Sequence, residues 1–322
     1  YNVYGGLQDN GSWYGPSSAI GGVRGRHWNS IGPGDGFRVL KHPKKNIIYS
    51  EMQGAENVWR FDIEKGLIKT IQPLPQKGYP KLRFNWNAPM EISAYYSNRF
   101  YMGSQFVHRS ENMGDTWEII SPDLTTNDPK KQLQENSGGL SADNSGAENH
   151  TTIFTIDESP LNPDIIWVGT DDGNIQLSIN GGKKWKNVTP RNKSLPKNTW
   201  VYHIEASSHN PAIAYAVFDG HASGDMTPYA YKTIDYGKTW ESIINNNDVI
   251  GFVRNIQEDH VNPNLLFLGT ELGLYITVDG GGKWTRFNNN MPPVAVHFID
   301  LQKRTNDLVL GTHGRGVIII DD

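Results

Sequence analysis

Thr277-Val-Asp-Gly-Gly-Gly-Lys-Trp284 is the last of four segments written on one template, and that template decides the fold. The others are Ser110-Glu-Asn-Met-Gly-Asp-Thr-Trp117, Ser178-Ile-Asn-Gly-Gly-Lys-Lys-Trp185 and Thr233-Ile-Asp-Tyr-Gly-Lys-Thr-Trp240. Each has a hydroxyl residue, then Asp or Asn, then Gly, then Trp at fixed offsets. Asp or Asn bonds the backbone of a tight turn, Gly accepts positive φ, and Trp packs under the turn as the next strand begins. The segments recur at intervals of roughly 45 to 65 residues, the range of propeller blades.

Outward from each turn lies a second phrase, in which a short apolar strand, a turn and another apolar strand end in Gly-Thr. Asn162-Pro-Asp-Ile-Ile-Trp-Val-Gly-Thr170, Asn262-Pro-Asn-Leu-Leu-Phe-Leu-Gly-Thr270 and Thr305-Asn-Asp-Leu-Val-Leu-Gly-Thr312 carry it, and Asn2-Val-Tyr-Gly-Gly6 is a degenerate copy. The repeating unit is therefore four strands, A to D, bounded by turn residues, with no sustained helical period. Full units are expected near 36–71, 90–120, 151–188, 201–244 and 252–287. Strands B to D alone are expected near 1–31, and A to C near 296–322. The expectation is an all-β protein, a single β-propeller domain over 1–322, with seven four-stranded blades as the best count and six or eight as the alternatives, the first and last blades incomplete. The incomplete ends imply a piece of a longer chain.

Composition removes several function classes. The 30 Lys and Arg against 34 Asp and Glu give a net charge of -4 without a basic stripe, which argues against nucleic acid as partner. No apolar run approaches the ~20 residues of a transmembrane helix. With no Cys, disulfides, thiolate metal sites and Cys nucleophiles are excluded. The ten His form no close ligand pair, and Asp171-Asp172 lies in no calcium-loop pattern, so no metal and no cofactor is expected. No Gly-x-Ser-x-Gly elbow is present.

At the four turn motifs the sequence resembles the Asp-box (BNR repeat) propellers, a group that includes sialidases, sortilin-type receptors and tandem-propeller xyloglucanases. Tyr1-Asn-Val-Tyr-Gly-Gly-Leu-Gln-Asp-Asn-Gly11, Arg83-Phe-Asn-Trp-Asn-Ala-Pro89 and Gly311-Thr-His-Gly-Arg-Gly-Val-Ile-Ile-Ile-Asp-Asp322 look like large bacterial exported proteins of the glycosyl-hydrolase or sortilin-like type. The resemblance implies a secreted, periplasmic or cell-surface protein. It specifies fold rather than activity. The Arg-Ile-Pro segment of sialidases is absent. Xyloglucanases divide two catalytic carboxylates between facing propellers, and this chain supplies one propeller at most. Gly34-Asp-Gly-Phe37 is similar to a segment bearing one such carboxylate, which makes Asp35 a catalytic candidate together with the rim residues Asp9 and Asp172.

Strand alternation places the A-B and C-D turns on one face of a blade and the B-C and D-A loops on the other. The turn residues Asn112, Trp117, Asn180, Trp185, Asp235, Trp240, Asp279 and Trp284 are thus expected to be structural. On the opposite face the B-C turns gather Gln8, Asp9, Glu51, Gln53, Gln105, Asp171, Asp172, Asp219, His221, Glu271, His313 and Arg315. Two long D-A insertions share that face. One carries Tyr79, Arg83, Phe84 and Trp86, and the other Gly138-Gly139 and Glu148-Asn-His150. Ligand contacts are expected from Asp172, Asp219, His221, Glu271, His313, Arg315, Arg83 and Trp86, with Glu271 adjoining His313 and Arg315. Three functions fit: capture of a glycan, peptide or protein ligand; a two-carboxylate glycoside hydrolase that needs a second propeller; and an assembly scaffold docked to another domain of the parent chain.

Overall fold

The computed structural model describes residues 1–133, 148–244 and 248–321, so Gly138-Gly139 lies outside the described residues. The structure is all-β apart from short 3-10 turns, and it is built as seven antiparallel sheets whose strands follow chain order. This is the blade series of a seven-bladed β-propeller, as the turn template requires. Five blades have four strands, while the first (Asn2–Leu7, Gly11–Pro16, Asn29–Gly32) and the last (Val296–Gln302, Asp307–Thr312, Val317–Ile320) have three. The expected strand positions and the two incomplete blades agree with this arrangement.

The chain divides into two compact units, 1–156 and 157–322. In the first unit the core fills the space between the second blade (Gly36–Lys41, Ile47–Met52, Val58–Asp62, Leu67–Thr70) and the third (Met90–Ile92, Phe100–Gly103, Val107–Ser110, Glu118–Ile119). Tyr49, Val58, Ile71, Phe84, Phe100 and Met102 are all buried there. In the second unit, blades five (Trp200–Ala206, Ala214–Gly220, Asp225–Thr233, Glu241–Ser242) and six (Val253–Glu258, Leu266–Thr270, Gly273–Thr277, Thr285–Arg286) bury Tyr215, Val217, Val253, Ile256, Leu268 and Trp284 between them. A strand with one apolar face can bury it only against the next blade, so blade contacts carry the hydrophobic stabilisation.

The four repeated turns fasten blade to blade. In each, the hydroxyl oxygen accepts the template glycine's N–H, as from Gly114 to Ser110 (2.8 Å) and from Gly237 to Thr233 (2.9 Å). The Asn or Asp carbonyl or carboxylate oxygen then accepts the amide four residues on, Thr116 to Asn112 and Thr239 to Asp235 (both 2.9 Å). Gly114, Gly182, Gly237 and Gly281 all have positive φ, and a Cβ on Gly114, Gly237 or Gly281 would collide with Ile71, Val188 or Ile243 of the preceding blade. Those same three residues take the Trp indole N–H on their carbonyls: Trp117 to Ile71 (2.6 Å), Trp240 to Val188 (2.7 Å) and Trp284 to Ile243 (2.7 Å). Trp185 instead donates to Gly182 within its own turn (3.0 Å). Uniform burial of the four Trp side chains does not hold. Trp284 is 3% exposed, whereas Trp117, Trp185 and Trp240 are only partly covered.

Two of these turns use a carboxylate and two use an amide, which separates them by pH. The backbone N–H of Thr239, with its hydroxyl, holds Asp235 below the usual carboxylate range. The Thr277 hydroxyl and the Lys283 amide do the same for Asp279. A depressed carboxylate stabilises the fold above its unfolded pKa, and the contribution disappears as pH falls through the folded value. The double variant Asp235→Asn, Asp279→Asn should therefore move the acid unfolding midpoint, followed by circular dichroism, to lower pH. A midpoint that stays in place would show that the turn carboxylates add nothing over amides.

Along the first strands of the second unit, one pattern repeats. Val201-Tyr-His-Ile204, Val253-Arg-Asn-Ile256 and Val296-His-Phe-Ile299 each bury both the Val and the Ile. In each case the register with the neighbouring strand slips between them, at Val201/His203, Val253/Asn255 and Val296/Phe298. The slip is a β-bulge, which inserts one unpaired residue and re-aims its side chain. The inserted residues are Tyr202, Arg254 and His297. Directly after the Ile comes a polar residue in each of the unit's four blades: Asp157, Glu205, Gln257 and Asp300. Gln257 donates to Glu205 (2.5 Å), and the Ala206 amide donates to Asp157 (2.5 Å).

Candidate functional site

The second unit assembles its polar site at the B-C end of blades five to seven. Asp219 is the next-to-last residue of the second strand of blade five, and its side chain is only 1% exposed. A carboxylate so deeply buried needs partners. His221, two residues on in the following 3-10 turn, supplies its backbone N–H (2.9 Å) and ring Nδ1 (2.7 and 2.8 Å to the two oxygens). Because a carboxylate only accepts, Nδ1 carries the proton, leaving Nε2 to accept from an Arg254 terminal nitrogen at 3.2 Å. Arg254 reaches the same place from the bulge of blade six. Its Nε lies 3.4 Å from Asp219, and its other terminal nitrogen donates to the Tyr202 hydroxyl at 2.8 Å.

Aromatic rings hold this network in place. His221 stacks on Phe252, with centroids 4.6 Å apart at 21°. The Arg254 guanidinium lies 4.8 Å from the Tyr202 ring centre and 5.1 Å from that of Phe252. Each such contact contributes about 0.5–2 kcal/mol, more when desolvated, and it lowers the conformational freedom that a ligand would otherwise have to freeze. Next around the rim, His297 at the blade-seven bulge packs against His313 at 5.0 Å. Burial pushes the His297 ring down to about 3, and the neighbouring Arg254, His313 and His221 push the same way. Its imidazole is neutral at physiological pH.

Of the residues expected to contact ligand, Asp219, His221 and His313 belong to this site. Glu271 belongs through its backbone: its N–H donates to the Phe252 carbonyl (3.1 Å) and so fixes the ring under His221. The His313 amide makes the matching bond to Ala295 (2.9 Å). Arg315 is exposed in the same turn as His313. Among the described residues no hydrogen bond or ion pair joins Glu271 to either of them. Asp172 is buried within its own B-C turn and accepts from the Thr170 hydroxyl at 2.5 Å.

The first unit accounts for the other candidates. Asp35 accepts the Asp9 amide at 2.7 Å, while its own amide donates to Gln53 at 3.0 Å, so the Asp9–Asp35 pair ties two B-C-face loops together. Arg83 is mostly covered. It pairs with Asp123 (2.9 Å) and donates to the Thr151 carbonyl (3.2 Å), and its amide donates to the buried Gln105 (2.9 Å). These bonds staple the long insertion to the blade. Trp86 is pinned by its carbonyl, which accepts from Gly54 (2.9 Å), and its side chain is half-buried. Glu51 beneath is wholly buried and accepts from Ala88 (3.2 Å), and burial raises its carboxyl well above the usual range.

Tyr202, Phe252, Arg254 and His297 are not among the residues expected from the sequence, because they stand on or beside first strands and not in B-C turns. The Val-x-x-Ile spacing was the available signal.

No family model matches the chain, and no curated protein matches it. Solved structures do match in fold. The extracellular domain of a candidate hybrid two-component system from B. thetaiotaomicron aligns over 99% of this chain and 39% of its own, with TM-score 0.60 and 13% identity. The extracellular domain of a candidate one-component system from the same organism aligns over 99% and 38%, with TM-score 0.59 and 13% identity. An ancestral GH74 enzyme aligns over 69% of this chain and 27% of its own, with TM-score 0.50 and 19% identity. The chain thus spans between about a quarter and two-fifths of the length of these proteins, and what it has in common with them is the propeller fold.

Proposed function

We propose that the chain is a ligand-binding propeller of the Asp-box type from an exported bacterial protein, and that it captures a glycan on the B-C face of its second unit. One observation carries the reading: Asp219, His221, Arg254 and Tyr202 form a closed, ring-supported network, and His297 and His313 stand directly beside it. Such a surface is ordered before a ligand arrives, which is how a polar site gains affinity without a large ordering cost. The extracellular domains and the GH74 enzyme among the fold neighbours are consistent with a ligand-binding propeller. In this reading all seven blades serve one binding domain, to which other domains of a longer chain, a second propeller among them, would be joined. Hydrolysis draws less support, because Asp35 and Asp172 are occupied in holding loops. The scaffold alternative predicts no sugar affinity at all. The test is a glycan array on the folded protein and on Arg254→Met, with circular dichroism to confirm the fold. Binding that falls by more than tenfold in a folded variant supports the proposal. An array without hits, or hits indifferent to Arg254, would overturn it.

A further inference from the structure

Arg254 carries five N–H groups; the network described above engages one on each terminal nitrogen, while Nε lies 3.4 Å from the Asp219 carboxylate as an ion pair without a hydrogen bond. One N–H on each terminal nitrogen is therefore left without a protein partner among the described residues. His297 is in a similar state. It is half-buried, and its ring nitrogens make no hydrogen bond among the described residues and are open to solvent. Asp219, the carboxylate in contact with Arg254, is buried and shared with His221, whereas the groups acting on His297 are Arg254, His313 and His221. Three side chains with spare donor capacity thus meet, and Asp219 is the carboxylate in contact with them.

We propose that Arg254, His297 and His313 form a subsite for a carboxylate, and that the group bearing it is a uronic-acid unit of an acidic glycan. This rests on the glycan-binding reading above and narrows it. A carboxylate has the planar, two-oxygen shape that the remaining guanidinium N–H pair can meet, and charge-assisted bonds of that kind are roughly twice as strong as neutral ones. A sugar is favoured over a peptide end because Phe298, next to His297 in the sequence, is 44% exposed and adds apolar surface to this strand. A uronic acid likewise presents a C–H ring face next to its carboxylate.

The experiment is calorimetric titration of the folded protein with a panel of uronic-acid oligosaccharides, each paired with its carboxyl-reduced neutral form. Alongside these run neutral oligosaccharides and a short peptide with a free C-terminal carboxylate. At least one acidic oligosaccharide should bind, its reduced form should bind more than tenfold more weakly, and His297→Gln and His313→Gln should each weaken binding by about tenfold without lowering Tm by more than about 2 °C, a discrimination of about 1.4 kcal/mol each. Equal affinity for acid and reduced forms, or binding of neutral sugars only, overturns the subsite while the glycan reading stands. No affinity for any sugar overturns both. Binding of the peptide alone, lost in His297→Gln, overturns the sugar assignment.

Discussion

Trp284→Ala should lose about 3–5 kcal/mol of unfolding free energy, more than the same change at Trp117 or Trp240. All three indoles donate to a carbonyl of the preceding blade, so the hydrogen bond does not distinguish them. Burial does. Trp284 is 3% exposed within a core that also holds Ile243, Ile256 and Tyr275, so truncation leaves both a cavity and an unmet Ile243 carbonyl. Trp240 packs edge-on to Trp167 with part of its ring in contact with solvent, and water can fill some of the space it vacates. Urea unfolding of the three Ala variants should rank Trp284 as most damaging. Equal losses would mean that the shared hydrogen bond outweighs packing. Ligand affinity in the molecules that remain folded should not change, because this turn lies at the end of the blade away from the B-C site.

Raising the pH should destabilise the second unit, by a drop in Tm on the order of 5 °C between about pH 5 and about pH 8. The cause is the polar column on its first strands. Burial raises the Asp157 carboxyl to about 7, with Glu158 adding repulsion. Burial, with Asp157 and Glu258 nearby, raises Glu205 well above the usual carboxylate range. A raised carboxyl favours the fold below its unfolded pKa, and that contribution is lost as pH climbs through the folded value. Asp157→Asn retains an oxygen for the Ala206 amide and removes the titration, so its Tm should vary less with pH than that of the parent. Superimposable pH profiles would show that the column does not govern stability. The effect opposes that of Asp235 and Asp279, whose contribution disappears toward acid.

The blades were legible in the sequence because turns are specified locally. Ser or Thr, Asp or Asn, and Gly at fixed offsets satisfy one hairpin whatever surrounds it, so Thr233-Ile-Asp-Tyr-Gly237 reads correctly in isolation. The site was legible only where it also sits in a turn, as with Asp219, His221 and His313. Arg254 was hidden by its bulge. Strict alternation places Val253 and Ile256 on opposite faces, yet both are fully buried, and only an inserted residue reconciles the two. Arg83 misled for a different reason. An aromatic loop with a cation looks like a ligand contact until Asp123 and Thr151, remote in sequence, are seen to occupy it.

Tyr202, Arg254 and His297 are each the one residue of their strand excused from the ladder, and this gives the fold a particular freedom. The flanking Val and Ile secure the strand, and the inserted residue contributes little to that hold. Its identity can therefore drift among Tyr, Arg and His from blade to blade within a single chain while the architecture stays constant. Three such positions lie side by side in one protein, so a relative could acquire a different ligand preference by changing three letters, without having to repack a core.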